Sequence, residues 1–235
     1  MRRTFSYVLT FLFIIGFLFS GFFNQNQAQA DTNPVPNPSI LGFISDVGEV
    51  SDVVVPAGSP KAYLASEEFG LVIVDVSVPT SPQVLGSERP AGKATHLAIS
   101  IEKNMAIVLG TPNGTDIVNI SDPANPQILS SIAGTSSDAA FVGNYAYIVT
   151  GGDVKVVDVS NPSSPKIVTT LITPGVASGI ATSGNLAVIA DGSSGMQVVD
   201  VSNQASPGII GSATLGGTAD RAAISGNLAL IANSG

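Results

Sequence analysis

The stretch Leu71-Val72-Ile73-Val74-Asp75-Val76-Ser77 recurs three more times along the chain. The later copies are Asp116-Ile117-Val118-Asn119-Ile120-Ser121, Val154-Lys155-Val156-Val157-Asp158-Val159-Ser160 and Met196-Gln197-Val198-Val199-Asp200-Val201-Ser202. Their polar markers Asp75, Asn119, Asp158 and Asp200 are separated by 44, 39 and 42 residues. A nearly fixed period of this length indicates a repeat fold.

Each copy is followed by a proline-marked turn and a short apolar run, as in Pro82-Gln83-Val84-Leu85. Two further β-rich runs complete the unit, and in three units a Gly-Asn dipeptide joins them: Gly143-Asn144, Gly184-Asn185 and Gly226-Asn227. A two-residue link of this type between β-rich runs predicts a hairpin. Each unit therefore predicts four strands, which we name a, b, c and d in chain order, with Asp-Val-Ser on strand c.

Four short antiparallel strands per repeat are typical of a β-propeller blade, and no stretch has the apolar period of an amphipathic helix. The Ala, Gly and Ser residues of strand a suit the crowded position nearest a propeller axis, and the Val and Ile residues of strands b and c would fill the space between blades. A β-solenoid is the alternative, but its turns are usually shorter. We predict an all-β propeller of four-stranded antiparallel blades.

The motif Leu71-Val72-Ile73-Val74-Asp75 resembles the repeat that names the LVIVD family, and the units ending at Asp158 and Asp200 resemble further members. The resemblance covers most of residues 50–235, and the unit with Asn119 departs from it by an amide. It implies a β-propeller-like fold and an exported or surface-associated protein. It does not imply one biochemical activity.

The amino terminus is typical of an export signal. Arg2 and Arg3 precede an apolar run from Tyr7 to Phe23, and Ala28-Gln29-Ala30 suits a signal peptidase. We predict a signal peptide at 1–30 cleaved after Ala30, an N-terminal segment at 31–49 and repeats at 50–235. An uncleaved membrane anchor is the alternative, because the run approaches the length that spans a bilayer.

The repeats predict about four complete blades, from about Asp52 to Ser212, followed by strands a and b of a fifth. Asn37-Pro38-Ser39-Ile40-Leu41-Gly42 matches Ser81-Pro82-Gln83-Val84-Leu85-Gly86, so the N-terminal segment carries an orphan outer strand d. These two observations lead to the hypothesis that the sequence is a truncated copy of a longer protein with more blades.

Charge and cysteine content exclude several classes of function. Without residues 1–30 the chain keeps seven Lys and Arg against 17 Asp and Glu, a formal charge of −10. Nucleic acid is an unsuitable partner for such a chain, since phosphate binding needs clustered cations. With no cysteine, the chain has no disulfide or thiol nucleophile. No segment after the signal is long and apolar enough to cross a membrane.

Candidate site residues lie where strand a opens, because the d-to-a and b-to-c connections of a propeller share one face. This position holds Asp52, His96, Asp138, Gly179 and Arg221 in successive units, with Asp220 beside the last. We predict a ligand site formed by Asp52, His96, Asp138, Asp220 and Arg221. The competing interpretation is structural: an Asp here would hydrogen-bond the backbone of a neighbouring blade.

No cofactor is predicted, and Ca²⁺ is a weak candidate, with Asp153 and Asp191 in the b-to-c connections as oxygen ligands. No Asp-x-Asp-x-Asp-Gly loop, Gly-x-Ser-x-Gly elbow or phosphate-cradling glycine motif is present, and one histidine without cysteine cannot form the usual zinc site. Asp75, Asp158 and Asp200 recur in the repeats, which predicts a structural role.

Three hypotheses for function remain open. The first is a secreted or cell-surface propeller that acts as a binding or scaffolding module for a protein or glycan ligand. The second is an extracellular hydrolase or lyase that uses carboxylates such as Asp52 and Asp138. The third is a purely architectural repeat of an envelope layer.

Overall fold

The computed structural model describes residues 39–89, 93–111 and 114–234, and every regular element in these ranges is a β-strand. No helix long enough and apolar enough to cross a membrane occurs among them. The predicted signal peptide, its cleavage site after Ala30 and the first two residues of the predicted orphan strand lie outside the described residues.

The strands form four sheets of four and one of two. Blade 1 comprises β1 (Val50–Val54), β2 (Lys61–Ser66), β3 (Gly70–Asp75) and β4 (Gln83–Glu88). Blade 2 comprises β5 (Lys93–Ser100), β6 (Met105–Thr111), β7 (Gly114–Asn119) and β8 (Gln127–Ile132). Blade 3 comprises β9 (Asp138–Val142), β10 (Tyr145–Val149), β11 (Asp153–Asp158) and β12 (Lys166–Ile172).

Blade 4 comprises β13 (Gly179–Ser183), β14 (Leu186–Ala190), β15 (Met196–Asp200) and β16 (Gly208–Ala213). A half-blade of β17 (Thr218–Ser225) and β18 (Leu228–Ser234) follows. Within each sheet the strands are antiparallel and paired in chain order, and the first strand of each unit lies against the first strand of the next. The predicted β-propeller with four complete blades and a partial fifth is therefore confirmed.

The Gly-Asn links are two-residue hairpin turns, since Val142 pairs with Tyr145 and Ser183 with Leu186. Within these links only the glycine has positive φ, at 54° for Gly143 and 56° for Gly184. Positive φ at the first central residue is the pattern of a type II′ turn, which matches the twist of antiparallel strands. The hairpins that the sequence predicts thus form, with glycine alone in the left-handed conformation.

The repeated aspartate at the end of strand c shapes the turn into strand d. Oδ1 of Asp158 accepts the Ser160 backbone N–H at 2.8 Å, and the Ser160 hydroxyl and N–H hold the pKa of Asp158 below its usual range. Oδ1 of Asn119 accepts the Ser121 N–H at 2.9 Å in the same way. An amide keeps the acceptor that this turn requires, so the departure at Asn119 leaves the turn unchanged.

The core lies between blades rather than within them. Strands b and c of blade 3 direct Tyr147, Val154 and Val156 towards Ile189 and Val199 of blade 4, and all five side chains are buried. Equivalent apolar clusters join blade 1 to blade 2 and blade 2 to blade 3. Strands b and c of blades 1 to 3 are buried on both faces, which accounts for the continuous apolar runs of strand c.

Residues 39–49 contain no strand, although the sequence predicts an orphan outer strand that includes residues 39–42. A strand needs a hydrogen-bonded neighbour, and the described chain provides none at this position. Gly42 nevertheless lies against the Pro79 carbonyl, as Gly86 of blade 1 lies against that of Pro123 in blade 2. The segment therefore occupies the place of an outer strand that precedes blade 1, without its ladder.

Tyr147 and Tyr63 occupy equivalent positions on strand b but differ in their hydroxyl contacts. Tyr147 donates a 2.6 Å hydrogen bond to the Gln204 carbonyl in the c-to-d turn of blade 4. Tyr63 makes no such bond to a described residue. We expect Tyr147→Phe to lower the free energy of unfolding by about 1 kcal/mol and Tyr63→Phe to lower it less, measured by denaturant titration. Equal losses would contradict this inter-blade role.

Candidate functional site

Four of the predicted site residues converge at the propeller axis, and we call Asp52, His96, Asp138 and Arg221 the axial cluster. Each lies on strand a, opposite the equivalent residue of strand b: Ala65, Leu109, Val149 and Ala232. In blades 1 and 2 and in the half-blade the strand register shifts immediately before the cluster residue. Such bulges change the direction in which side chains point. Here a bulge directly precedes three of the four residues of the axial cluster.

The two aspartates of the axial cluster fasten neighbouring blades together. Asp138 accepts the Ala139 N–H at 2.8 Å through Oδ1 and the Ile180 N–H of blade 4 at 2.9 Å through Oδ2. Asp52 makes the same pair of bonds to the N–H groups of Val53 and, in blade 2, Leu97. Both carboxylates therefore perform the structural role that the sequence left as the competing interpretation.

Arg221 links the half-blade to blades 2 and 3 across the axis. Its Nη2 donates to Nε2 of His96, and its Nη1 lies 3.9 Å from Oδ2 of Asp138. Because a guanidinium can only donate, Nε2 of His96 accepts and the proton of the neutral imidazole is on Nδ1. Nδ1 is buried and has no partner among the described residues.

The surroundings shift two pKa values in the axial cluster. Burial and the Arg221 charge lower the pKa of His96 from 6.5, partly offset by Asp52. Burial raises the pKa of Asp138, against the opposing effect of the Ile180 and Ala139 N–H groups and of Arg221. The cluster therefore combines an imidazole whose neutral form is favoured, a guanidinium whose side chain is 46% exposed and the two aspartates that fasten neighbouring blades.

Gly179 is the blade 4 member of the series, and it makes room for Arg221. A Cβ at Gly179 would lie 3.0 Å from Cα of Arg221 and 3.1 Å from the Asp220 carbonyl oxygen. The half-blade therefore approaches blade 4 most closely where blade 4 lacks a side chain. Asp220 occupies the extra residue of the bulge, and no hydrogen bond or ion pair to another described residue connects it to the axial cluster.

The two calcium candidates lie apart, in different blades, and have partners of their own. Asp153 in blade 3 accepts the Thr150 hydroxyl. Asp191 in blade 4 is buried, and its Oδ2 accepts the Gly175 N–H at 3.0 Å and the Gln197 side-chain amide at 3.1 Å. The part of the chain that the structure describes contains no group of three or more His, Asp or Glu residues that could hold a metal ion.

Sequence reasoning missed the ion pair beside the axial cluster. Glu67 in the b-to-c loop of blade 1 accepts from Lys93, at the start of strand a in blade 2. The sequence places both residues on this face, but the repeat contains no signal that pairs a loop with the next blade. The partner of Arg221 was also missed, because repeat spacing does not show which blades face each other across the axis.

A comparison with family models matches the LVIVD repeat at residues 48–88, 91–132, 133–173 and 174–214. The chain belongs to the LVIVD-repeat family. Each matched segment contains all four strands of one blade of the structure. No curated protein matches the chain.

Solved structures similar to this LVIVD-repeat chain share its fold at low identity. The designed Ika8 protein is 12% identical with a TM-score of 0.64, over 82% of this chain and 58% of its own. A functionally unknown protein from Desulfotomaculum acetoxidans is 13% identical with a TM-score of 0.67, over 79% and 63%. The WD40 repeats of RRP9 are 17% identical with a TM-score of 0.58, over 75% and 55%. The LVIVD-repeat chain thus spans less than two thirds of these structures.

The lowered pKa of His96 predicts a pH dependence of stability. The unfolded chain binds this proton more tightly than the folded chain, so the free energy of unfolding falls as pH decreases from about 7. We expect His96→Gln, whose amide oxygen can still accept from Arg221, to lose less stability between about pH 7.5 and about pH 5.5 than the wild type. Denaturant titration at both pH values measures the loss in the free energy of unfolding. Identical losses in the variant and the wild type would refute this role of His96.

Proposed function

We propose that this LVIVD-repeat propeller is a secreted or cell-surface binding or scaffolding module. It binds a protein or glycan ligand on the face that carries the axial cluster. The signal-like sequence at 1–30 supports export, and the formal charge of −10 without residues 1–30 argues against nucleic acid.

The observation that carries this proposal is the variety of side chains at one repeated position. Strands b and c repeat closely from blade to blade, whereas the position of strand a that pairs with the fifth residue of strand b varies. It holds Asp52, His96, Asp138, Gly179 and Arg221, which open the strand only in blades 3 and 4. A purely structural position would favour one residue type in every repeat. Arg221 provides hydrogen-bonding groups of a kind that sugars and peptides use, because its half-exposed guanidinium retains free N–H donors.

The carboxylate contacts favour binding over acid-base catalysis. Both oxygens of Asp52 and of Asp138 already accept backbone N–H groups. In an Asp138→Asn variant the amide NH₂ would face one of these N–H donors, so the change would weaken the joint between blades as well as any chemistry. A loss of activity in such a variant would not by itself identify a hydrolase or lyase.

Export predicts the mass and the location of the native protein. We expect protein from the growth medium or the cell envelope to lack residues 1–30 and to begin at Asp31, because signal peptidase cleaves after small residues. Intact-mass spectrometry of medium, envelope and cytoplasmic fractions measures this. Protein that retains residues 1–30, or that is confined to the cytoplasm, would contradict export with cleavage after Ala30.

Ligand binding at the axial cluster predicts a selective effect of Arg221. We would apply the purified mature chain to a glycan microarray and to a peptide array, and measure the strongest hit by calorimetry. We expect Arg221→Gln to weaken that binding at least tenfold, because it removes the exposed guanidinium, which corresponds to about 1.4 kcal/mol. Lys166→Gln on strand d of blade 3 removes a charge from another blade and serves as the matched control.

Equal binding by Arg221→Gln and wild type would place the ligand elsewhere on the propeller. Absence of binding on both arrays would favour the architectural hypothesis. Circular dichroism of each variant separates lost folding from lost binding.

A further inference from the structure

A pocket of about 470 Å³ lies between blades 1 and 2, on the face opposite the axial cluster. One wall is the a-to-b connection of blade 1, at residues 56–60, and the other includes Ser121 and Pro123 from the c-to-d turn of blade 2. Both walls belong to complete blades within the chain. Pockets of this volume hold small organic molecules, with an apolar lining and a few placed polar groups.

The a-to-b connection of blade 1 is longer than its counterparts and has a defined turn. It spans residues 55–60, whereas two-residue links serve blades 3 and 4. The Pro56 carbonyl accepts the Ser59 N–H at 3.0 Å and Gly58 has a φ of 72°, which is the pattern of a type II turn. The carbonyl of the last residue in the connection accepts the Val76 N–H at 2.8 Å, which fixes this wall to the end of strand c.

The equivalent space between blades 3 and 4 is filled. There the Tyr147 hydroxyl donates to the Gln204 carbonyl, and the Gln204 side chain lies against Gly143. The residue of blade 2 that corresponds to Gln204 is Pro123, since each follows the end of strand c by four residues. Proline lacks the long side chain that fills the space, and the Tyr63 hydroxyl of blade 1 has no hydrogen-bond partner among the described residues.

Two hydrogen-bond donors line the pocket from one face of β2. Lys61 and Tyr63 are two residues apart on this strand, so their side chains lie on the same side of the sheet. Burial raises the pKa of Tyr63, so its hydroxyl keeps its proton at neutral pH and can donate. Lys61 is partly buried and forms no ion pair with a described residue. Both donors therefore lack a partner from the described chain.

Lys61 makes the pocket locally positive in a chain whose net charge is negative. It is the only charged residue in the lining. The residues at its position in blades 2 to 4, each paired with the end of strand c, are Met105, Tyr145 and Leu186. Asp75 pairs with Lys61, but its Oδ1 accepts the Ser77 N–H and it does not line the pocket. The charge is thus a specific departure from the repeat.

We propose that this pocket binds a small organic carboxylate. Its anionic group accepts hydrogen bonds from Lys61 and Tyr63, and its apolar body packs on the isoleucine side chains of the lining, Ile99, Ile101 and Ile120. Hydrogen bonds between an ammonium and a carboxylate are stronger than those between neutral groups. The site lies on the opposite face from the axial cluster and does not depend on a ligand there.

Three carboxylates of different shape test this chemistry: octanoate, phenylacetate and benzoate, each compared with its primary amide. Amide chemical shifts of the isotope-labelled mature chain measure each Kd and locate the site. We expect at least one acid to bind at least tenfold more tightly than its amide, because only the acid forms a charge-assisted hydrogen bond with Lys61. We also expect it to shift the backbone amides of Gly58, Ser59 and Asn104, which line the pocket.

Lys61→Met removes the charge and installs the residue that blade 2 carries at this position, Met105. We expect it to weaken binding of the acid at least tenfold and to leave binding of the amide unchanged. Lys166→Met is the matched control, because Lys166 pairs with Asp158 as Lys61 pairs with Asp75 but lies outside the pocket lining. We expect this control to bind the acid as the wild type does.

Tyr63→Phe separates binding from stability. We expect it to weaken binding of the acid about tenfold, since one hydrogen bond to a charged group is lost. Tyr147→Phe removes the equivalent hydroxyl from blade 3 and leaves binding unchanged, although it lowers the free energy of unfolding. Circular dichroism of each variant distinguishes lost folding from lost binding.

The proposal is wrong if none of the three acids binds, if the acids bind no more tightly than their amides, or if the shifted amides lie in other blades. Equal losses of binding in Lys61→Met and Lys166→Met would also overturn it, because the effect would then follow net charge rather than the pocket.

Discussion

The packing of one apolar sheet face on the next is the interaction on which the structure depends. Strands b and c are apolar on both sides, so each sheet is buried only when a neighbour covers each face, as Tyr147 and Val156 of blade 3 are covered by blade 4. A single four-stranded unit would leave both of these apolar faces in water. Stability in such arrays comes from the contacts between neighbouring repeats, and the chain must therefore form an arc of blades.

The polar contacts between blades follow from the same geometry. Strands a converge at the axis, where the half-blade backbone at Arg221 approaches blade 4 too closely for a side chain at Gly179. Asp52 and Asp138 use this proximity to accept N–H groups from the next blade. Burial raises the pKa of Asp138, so keeping this carboxylate ionised opposes folding even as its hydrogen bonds stabilise the joint.

The period of the sequence predicted the fold because every repeat carries the same turn chemistry. Asp158 with Ser160 and Gly143 with Asn144 each specify a local turn, and such signals can be recognised without a structure. The positions of the axial residues followed from the same alignment. Their contacts did not, because the pairing of Arg221 with His96 depends on the curvature of the arc, and the bulges before both residues have no sequence signal in this chain.

Repetition separates structural positions, such as the end of strand c, from variable positions, such as the axial position of strand a. Asn119 replaces the repeated aspartate and keeps its acceptor, so the c-to-d turn tolerates a change that preserves this hydrogen bond. The axial position of strand a accepts an acid, an imidazole, a guanidinium and a glycine, because the axis provides space and solvent for some of these side chains. Arg221 extends from the half-blade to His96 and Asp138, so the residue that we propose as a ligand contact also connects three units of the propeller. A ligand that engages Arg221 would therefore change the contacts that hold the half-blade to blades 2 and 3.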